Sequence, residues 1–153
     1  MKVALGSDHQ GVDIKKALIE YLASQGIEAK DFGPASKDSV DYPDYAEVVG
    51  KAVATGQYDR GILICGTGAG MSIAANKVPG VRAARVTDSY SARLTREHND
   101  ANVICLGAWL TGPQMAIDMV SQFLNTAYQG GRHVQRVAKI AELDKKRQAS
   151  PTK

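Results

Sequence analysis

A cysteine stands at the head of the most glycine-rich stretch of the chain, Ile64-Cys65-Gly66-Thr67-Gly68-Ala69-Gly70. Cysteine acts as base or nucleophile through its thiolate, and a thiol beside the amino terminus of a helix gives up its proton more readily than a free one. Glycines let a backbone come close to a ligand, and amide groups at a helix start attract anions. One reading of the stretch is a tight strand-to-helix turn with a small buried hydrophobe before it. The chemical reading is a thiolate beside anion-binding amides.

The remaining reactive side chains fall in three polar segments. They are Gly6-Ser7-Asp8-His9, His98-Asn99-Asp100-Ala101-Asn102 and Gly130-Gly131-Arg132-His133, and all the histidines of the chain lie in them. Asp8 could simply cap a helix. Arg132 and Arg136 are four residues apart, so on a helix they share a face. Two guanidinium groups so placed repel unless an anion lies between them, and phosphate is the usual anion for an arginine pair.

Several chemistries are excluded. The dinucleotide fingerprint needs GxGxxG after the first strand, whereas this chain has GxGxG after the third. The Walker loop needs GK[ST], which is absent. A cysteine phosphatase would carry an arginine in the turn after the cysteine, and Gly66–Met71 contains none. Cys65 and Cys105 show no CxxC spacing, so neither zinc nor thioredoxin-like redox chemistry is indicated, and Cys105 reads as core.

These segments need elements to position them. Val3-Ala4-Leu5, Ile27–Phe32, Gly61–Cys65, Val81–Val86 and Val103–Leu106 read as strands. Between them lie helical stretches. Ile14, Ala17, Leu18, Tyr21 and Leu22 repeat at helical spacing, and Pro43 opens a helix that runs to about Thr55. A short helix ends near Asn76, another covers Ser89–Glu97, a fifth opens at Gly112-Pro113, and a last one begins near His133. The alternation predicts an α/β fold: a Rossmann-like three-layer sandwich around a five-stranded parallel sheet. Such sheets bind ligands at the carboxyl ends of their strands, where the first and glycine-rich segments stand.

Composition sets the frame. The chain has 153 residues, 44% apolar and 23% charged, as one soluble domain should. Its net charge of +3 is accounted for by Lys145, Lys146 and Arg147, so no nucleic-acid surface is indicated. No apolar run approaches the ~20 residues of a membrane span, and Met1-Lys2 leads into no signal-peptide core. The expectation is a cytoplasmic domain over residues 1–145, followed by a polar, disordered tail over 146–153.

Read together and in order, these segments, with Asp41-Tyr42-Pro43-Asp44 and Ile73-Ala74-Ala75-Asn76-Lys77-Val78-Pro79-Gly80, resemble the ribose-5-phosphate isomerase B family. That family sits in a wider group with galactose-6-phosphate isomerase, and the resemblance covers roughly residues 1–145. It implies aldose–ketose isomerisation of ribose 5-phosphate and ribulose 5-phosphate, in pentose phosphate metabolism, without metal or cofactor. By resemblance Cys65 is the base that moves a proton between C1 and C2 through an enediolate. One branch of the family has a glutamate at the position of Met71, so this chain looks like the cysteine branch. The amides of Gly66, Gly68 and Gly70 would stabilise the enediolate oxygen. His98 would assist ring opening, with Asp8 and Thr67 handling the anomeric hydroxyl. Asn99 would bind the enediolate, and His9, Arg132 and Arg136 the phosphate. Family sites are shared between subunits, which implies a homodimer or a dimer of dimers. The family often has an arginine at Trp109, and this departure leaves room for another substrate such as allose 6-phosphate or a tetrose phosphate. A non-catalytic sugar-phosphate binding module is the competing reading, but it would need neither Cys65 nor His98.

Overall fold

A computed structural model describes residues 1–149, and among them five parallel strands form one sheet between two helical layers. The strands are β1 (Lys2–Ser7), β2 (Glu28–Asp31), β3 (Arg60–Cys65), β4 (Ala83–Arg85) and β5 (Val103–Gly107). The helices are α1 (Val12–Ser24), α2 (Tyr42–Ala54), α3 (Ala69–Ala75), α4 (Ser89–Asn99), α5 (Pro113–Asn125) and α6 (Val134–Ala149). A 3-10 turn, Gly131–His133, leads into α6.

Side-chain alternation divides the core between the two faces of the sheet. Val3, Leu5, Ile62, Ile64, Ile104 and Leu106 pack in one layer with α1, α4 and α5. Ala4, Leu63, Cys65, Val103 and Cys105 pack in the other with α2 and α3. Burial, rather than capping, holds α1. Its N-cap, Gly11, makes no side-chain hydrogen bond, where a good cap is worth ~1 kcal/mol. Leu18 and Leu22 are fully buried, and each such side chain contributes ~1.5–3 kcal/mol.

The strand order is β2-β1-β3-β5-β4. The chain leaves β1 through α1 toward β2 and returns through α2, on the opposite face, to β3. The connections thus part company between β1 and β3, and a crevice opens there at the strand carboxyl ends. Ser7 pairs with Ile64, and Cys65 with Gly107, so the last residues of β1, β3 and β5 meet at that edge.

Three expectations need correction. The predicted strand Val81–Val86 shortens to Ala83–Arg85. Side chains take its amino end: Asn102 Oδ1 accepts the Arg82 amide at 2.8 Å, and Asn76 Oδ1 accepts the Ala83 amide at 2.9 Å. The fourth helix runs to Asn99, so His98 and Asn99 are helical. The polar tail expected over 146–153 begins as helix, since Lys146 to Ala149 belong to α6. Arg147 donates to the carbonyls of Asn76 and Lys77, and Asp144 accepts the Gly80 amide, which docks α6 on the end of α3. Residues 150–153 lie outside the described residues. No helix among the described residues is long and apolar enough to cross a membrane.

Candidate active site

β3 delivers Cys65 to the crevice with 5% of its surface exposed. Its Sγ accepts the Gly68 N–H at 3.2 Å, so the turn folds back on the sulfur. Gly68 has φ 76°, a conformation that favours glycine, and a Cβ there would lie 2.9 Å from the Leu106 carbonyl carbon. Thr67 Oγ1 accepts the Ala69 N–H at 3.3 Å, and the Thr67 carbonyl accepts Arg85 Nε at 2.7 Å. Two of the turn's amides are therefore engaged by its own side chains.

The other glycines of this turn have a reason the sequence did not show. A Cβ on Gly66 would lie 2.9 Å from the indole of Trp109, and one on Gly70 would lie 2.7 Å from the ring of Tyr42. Two aromatic rings occupy the places where side chains would stand. Cys105, two residues before the partner of Cys65, is fully buried, and that burial pushes its thiol far up, with Cys65 adding to the effect. It is core, as read.

The turn after β1 lies alongside. The Asp8 amide donates to the Ile64 carbonyl at 2.9 Å, and Asp8 Oδ1 accepts the Gln10 N–H at 2.9 Å. Asp8 thus braces its own turn, and the N-cap of α1 is Gly11 rather than Asp8. His9 Nδ1 accepts the Val40 N–H at 3.4 Å. When neutral, His9 then carries its proton on Nε2, free to donate.

The sequence reading missed Lys15, which is only 2% exposed. Its ammonium bonds Asp31 Oδ1 and the Pro34 carbonyl, each at 2.7 Å. Asp31 Oδ1 also accepts the Gly33 N–H, and the Gly33 carbonyl accepts the Ser7 N–H. This network ties the loop that carries Val40 to α1 and β1. The signal was available: Lys15 shares the i, i+3, i+7 stripe with Leu18 and Leu22.

The second group of candidates lies elsewhere. α4 starts beyond the carboxyl end of β4 and runs back toward the amino end of β5, where it stops at Asn99. His98, half-buried, stacks on buried His133, while Asn99, Arg132 and Arg136 are exposed. Burial holds the His133 imidazole below its ordinary range, and His98, Arg132 and Arg136 oppose its protonation further. Asp100, at φ 46°, ends α4. Its carboxylate bonds Arg96 at 2.8 Å and Arg82 at 2.9 Å, and Arg96 also reaches the Ala101 carbonyl. Asn102 donates to the Gly80 carbonyl. In the segment from His98 to Asn102, the first two residues are left for chemistry, while Asp100 and Asn102 are scaffold.

In one chain, Cys65, Thr67, Asp8 and His9 therefore gather at the carboxyl ends of β1 and β3. His98, Asn99, Arg132 and Arg136 gather at the other end of the sheet. Among the described residues no three His, Cys, Asp or Glu side chains stand together as a metal site would require.

Residues 3–140 match the family described as Ribose/Galactose Isomerase. Ribose-5-phosphate isomerase B of Escherichia coli is 46% identical, over 95% of this chain and 98% of that protein. The structure of ribose-5-phosphate isomerase B of Clostridium thermocellum superposes with a TM-score of 0.94 at 52% identity, covering 96% of this chain and 99% of that one. That of Mycoplasma genitalium, solved with bound ribulose-5-phosphate, superposes with a TM-score of 0.91 at 40% identity, covering 94% and 96%.

Proposed function

The chain belongs to the ribose/galactose isomerase family, and we propose that it interconverts ribose 5-phosphate and ribulose 5-phosphate in a site built by two copies of the chain. The observation that carries this reading is Cys65 Sγ at the carboxyl end of β3, folded under the amide of Gly68 in a glycine turn. A sulfur base next to backbone donors is what proton abstraction beside a carbonyl calls for.

The chemistry runs as follows. With the sugar open, the C2–H is acidified by the C1 carbonyl. The Cys65 thiolate takes that proton, the C–H electron pair becomes the C1–C2 double bond, and the carbonyl pair moves to O1. Transfer of the O2 proton to O1, with return of the abstracted proton from Cys65 to C1, gives the ketose and restores the thiolate. Charge develops on oxygen during the first step; the amides of Gly66 and Gly70 meet it, joined by that of Gly68 once it turns from the Cys65 sulfur to the substrate. Removing a single donor of this kind typically costs ~10²–10³ in kcat. Asp8 and Thr67 handle the anomeric hydroxyl, and His98 passes the ring-opening proton, a task suited to imidazole near neutral pH. Asn99 holds the enediolate oxygens. His9, Arg132 and Arg136 hold the phosphate.

The distance between the two groups in one chain supports a shared site. α4 has 11 residues, and at 1.5 Å per residue it spans ~16 Å, more than any side chain reaches. A two-fold axis that sets the amino-end cluster of one copy against the crevice of the other completes two equivalent sites at once. A homodimer, or a dimer of two such dimers, is the assembly this implies. Both cysteines are free, in keeping with a reducing cytoplasm.

The test is ketose formation from ribose 5-phosphate by the purified chain in EDTA, beside Cys65→Ala. Turnover by the native chain and a loss of ~10²–10⁴-fold in the variant is the expected result. No turnover by the native chain refutes the activity, and an undiminished variant refutes Cys65 as base.

A further inference from the structure

Trp109 is the most exposed large apolar side chain of the described residues, at 68%, yet its place is closely defined. The Ala108 amide donates to the Cys65 carbonyl at 2.8 Å, and the Trp109 amide to the Gly66 carbonyl at 2.9 Å. These bonds clip the loop after β5 onto the turn after β3. The indole then lies on Gly66, close enough that a Cβ there would have to displace it. At its far end Nε1–H donates to Gln10 Oε1 at 3.2 Å, and the Gln10 backbone is itself braced by Asp8. The ring thus bridges from the loop of β5, over the residue that follows Cys65, to the turn of β1.

We propose that Trp109, latched by Gln10, is a specificity-determining residue whose indole walls the crevice beside Cys65 and limits the length of sugar phosphate accepted. This rests on the isomerase reading. An indole face is apolar and carries the negative side of its quadrupole. It suits the C–H face of a carbohydrate chain and repels a phosphate. The reacting carbons at Cys65 and the ring on Gly66 therefore set a direction: the carbon chain runs past the indole and the phosphate lies beyond it, toward His9 and the arginines of the second copy. Both ends of the substrate are then anchored. An extra carbon must bulge against a wall that three hydrogen bonds hold in place. A hydrophobic wall discriminates by about 10–200-fold per carbon.

The experiment is the ratio of kcat/KM for ribose 5-phosphate to that for allose 6-phosphate, in the native chain, W109A, W109F and Q10A. The expected result is a ratio about tenfold lower in W109A, with smaller falls in the same direction in W109F and Q10A. A ratio within about twofold of native in a W109A protein of native circular dichroism overturns the proposal. Should W109A fail to fold, unchanged ratios in both W109F and Q10A overturn it, and lowered ratios uphold it. A native chain that turns over ribose 5-phosphate with no such change sinks this proposal alone. A native chain that turns over neither sugar sinks the isomerase reading and this proposal with it.

Discussion

The imidazoles of His98 and His133 lie face to face, with ring centroids 4.3 Å apart and planes inclined by 13°. His98 is half-buried and reaches solvent, whereas His133 lies beneath it in the fold. A charged pair at that distance would repel, and Arg132 and Arg136 add to the same field. Burial, first, and these neighbours, second, hold His133 below its ordinary range. It is therefore a platform that resists protonation, and His98 rests on it.

The consequence for pH has a definite sign. The unfolded chain binds a proton at His133 near the ordinary imidazole value, ~6.5, while the folded chain resists it. The contribution to stability is complete above that value and is lost as pH falls below it. Urea unfolding at steps between pH 7.5 and 5 should show native midpoints falling more steeply than those of His133→Phe, which keeps a flat ring under His98. Parallel profiles would show that His133 is not the group responsible.

The glycines of the β3 turn should separate by the atoms they face. At Gly68 a Cβ meets the backbone of Leu106 and the residue sits at φ 76°, so nothing flexible can yield. Gly68→Ala should destabilise the protein by ~2 kcal/mol or more and disturb the donor to Cys65. At Gly66 the obstacle is the Trp109 side chain alone, which meets the added Cβ with no backbone behind it and yields at the cost of its one side-chain bond, to Gln10. Gly66→Ala should cost less than ~1 kcal/mol in stability while altering activity. Equal losses in chemical denaturation would contradict this division.

How much of this was legible in the sequence depends on the range of the interaction. β3 is legible because Gly61–Cys65 is one apolar run, and the structure covers both of its faces. α1 is legible because Ile14, Leu18 and Leu22 repeat at helical spacing and are buried. The crevice follows from the strand–turn–helix grammar alone, so Cys65 and Asp8 could be placed at the strand ends. What was not legible is what folding brings from afar. Nothing near Gly66 announces Trp109, and nothing near residue 98 announces His133. Edge strand β4 was overextended because Val81 and Val86 are buried without being paired as strand. Arg147, which docks on α3, looked from composition like part of a solvated tail.

Asp100 carries the two arginines that fix the end of α4. Arg96 is 3% exposed, so losing its partner leaves a buried cation poorly compensated. A wholly buried pair broken this way costs 3–5 kcal/mol, but Asp100 itself is partly solvated, so Asp100→Ala should cost ~2 kcal/mol. Asp100→Asn, which still accepts hydrogen bonds and tolerates the left-handed backbone, should cost about half as much. Adding Arg96→Met to Asp100→Ala should recover part of the loss, because the stranded charge is gone. Denaturation midpoints of the three variants check this, and an Asp100→Ala protein as stable as the native one would show that the clamp holds nothing.

The separation of Cys65 from His98 makes the strongest demand on the proposed assembly. If one site draws Cys65 from one copy and His98 from the other, then Cys65→Ala and His98→Ala homodimers are each defective at every site. A mixed dimer is different. One of its sites takes both mutations, and the other takes neither. Random reassociation of equal amounts gives half mixed dimers, each with one intact site in two, so the mixture should recover about a quarter of native activity under two-fold symmetry. The two variants carry different tags, so that exchange is verified by co-purification. Recovery near that level means that the amino-end cluster of one copy serves the crevice of the other. A mixture that exchanges subunits yet stays as inactive as its parents means that each site is built within one chain, and the two-copy site is wrong.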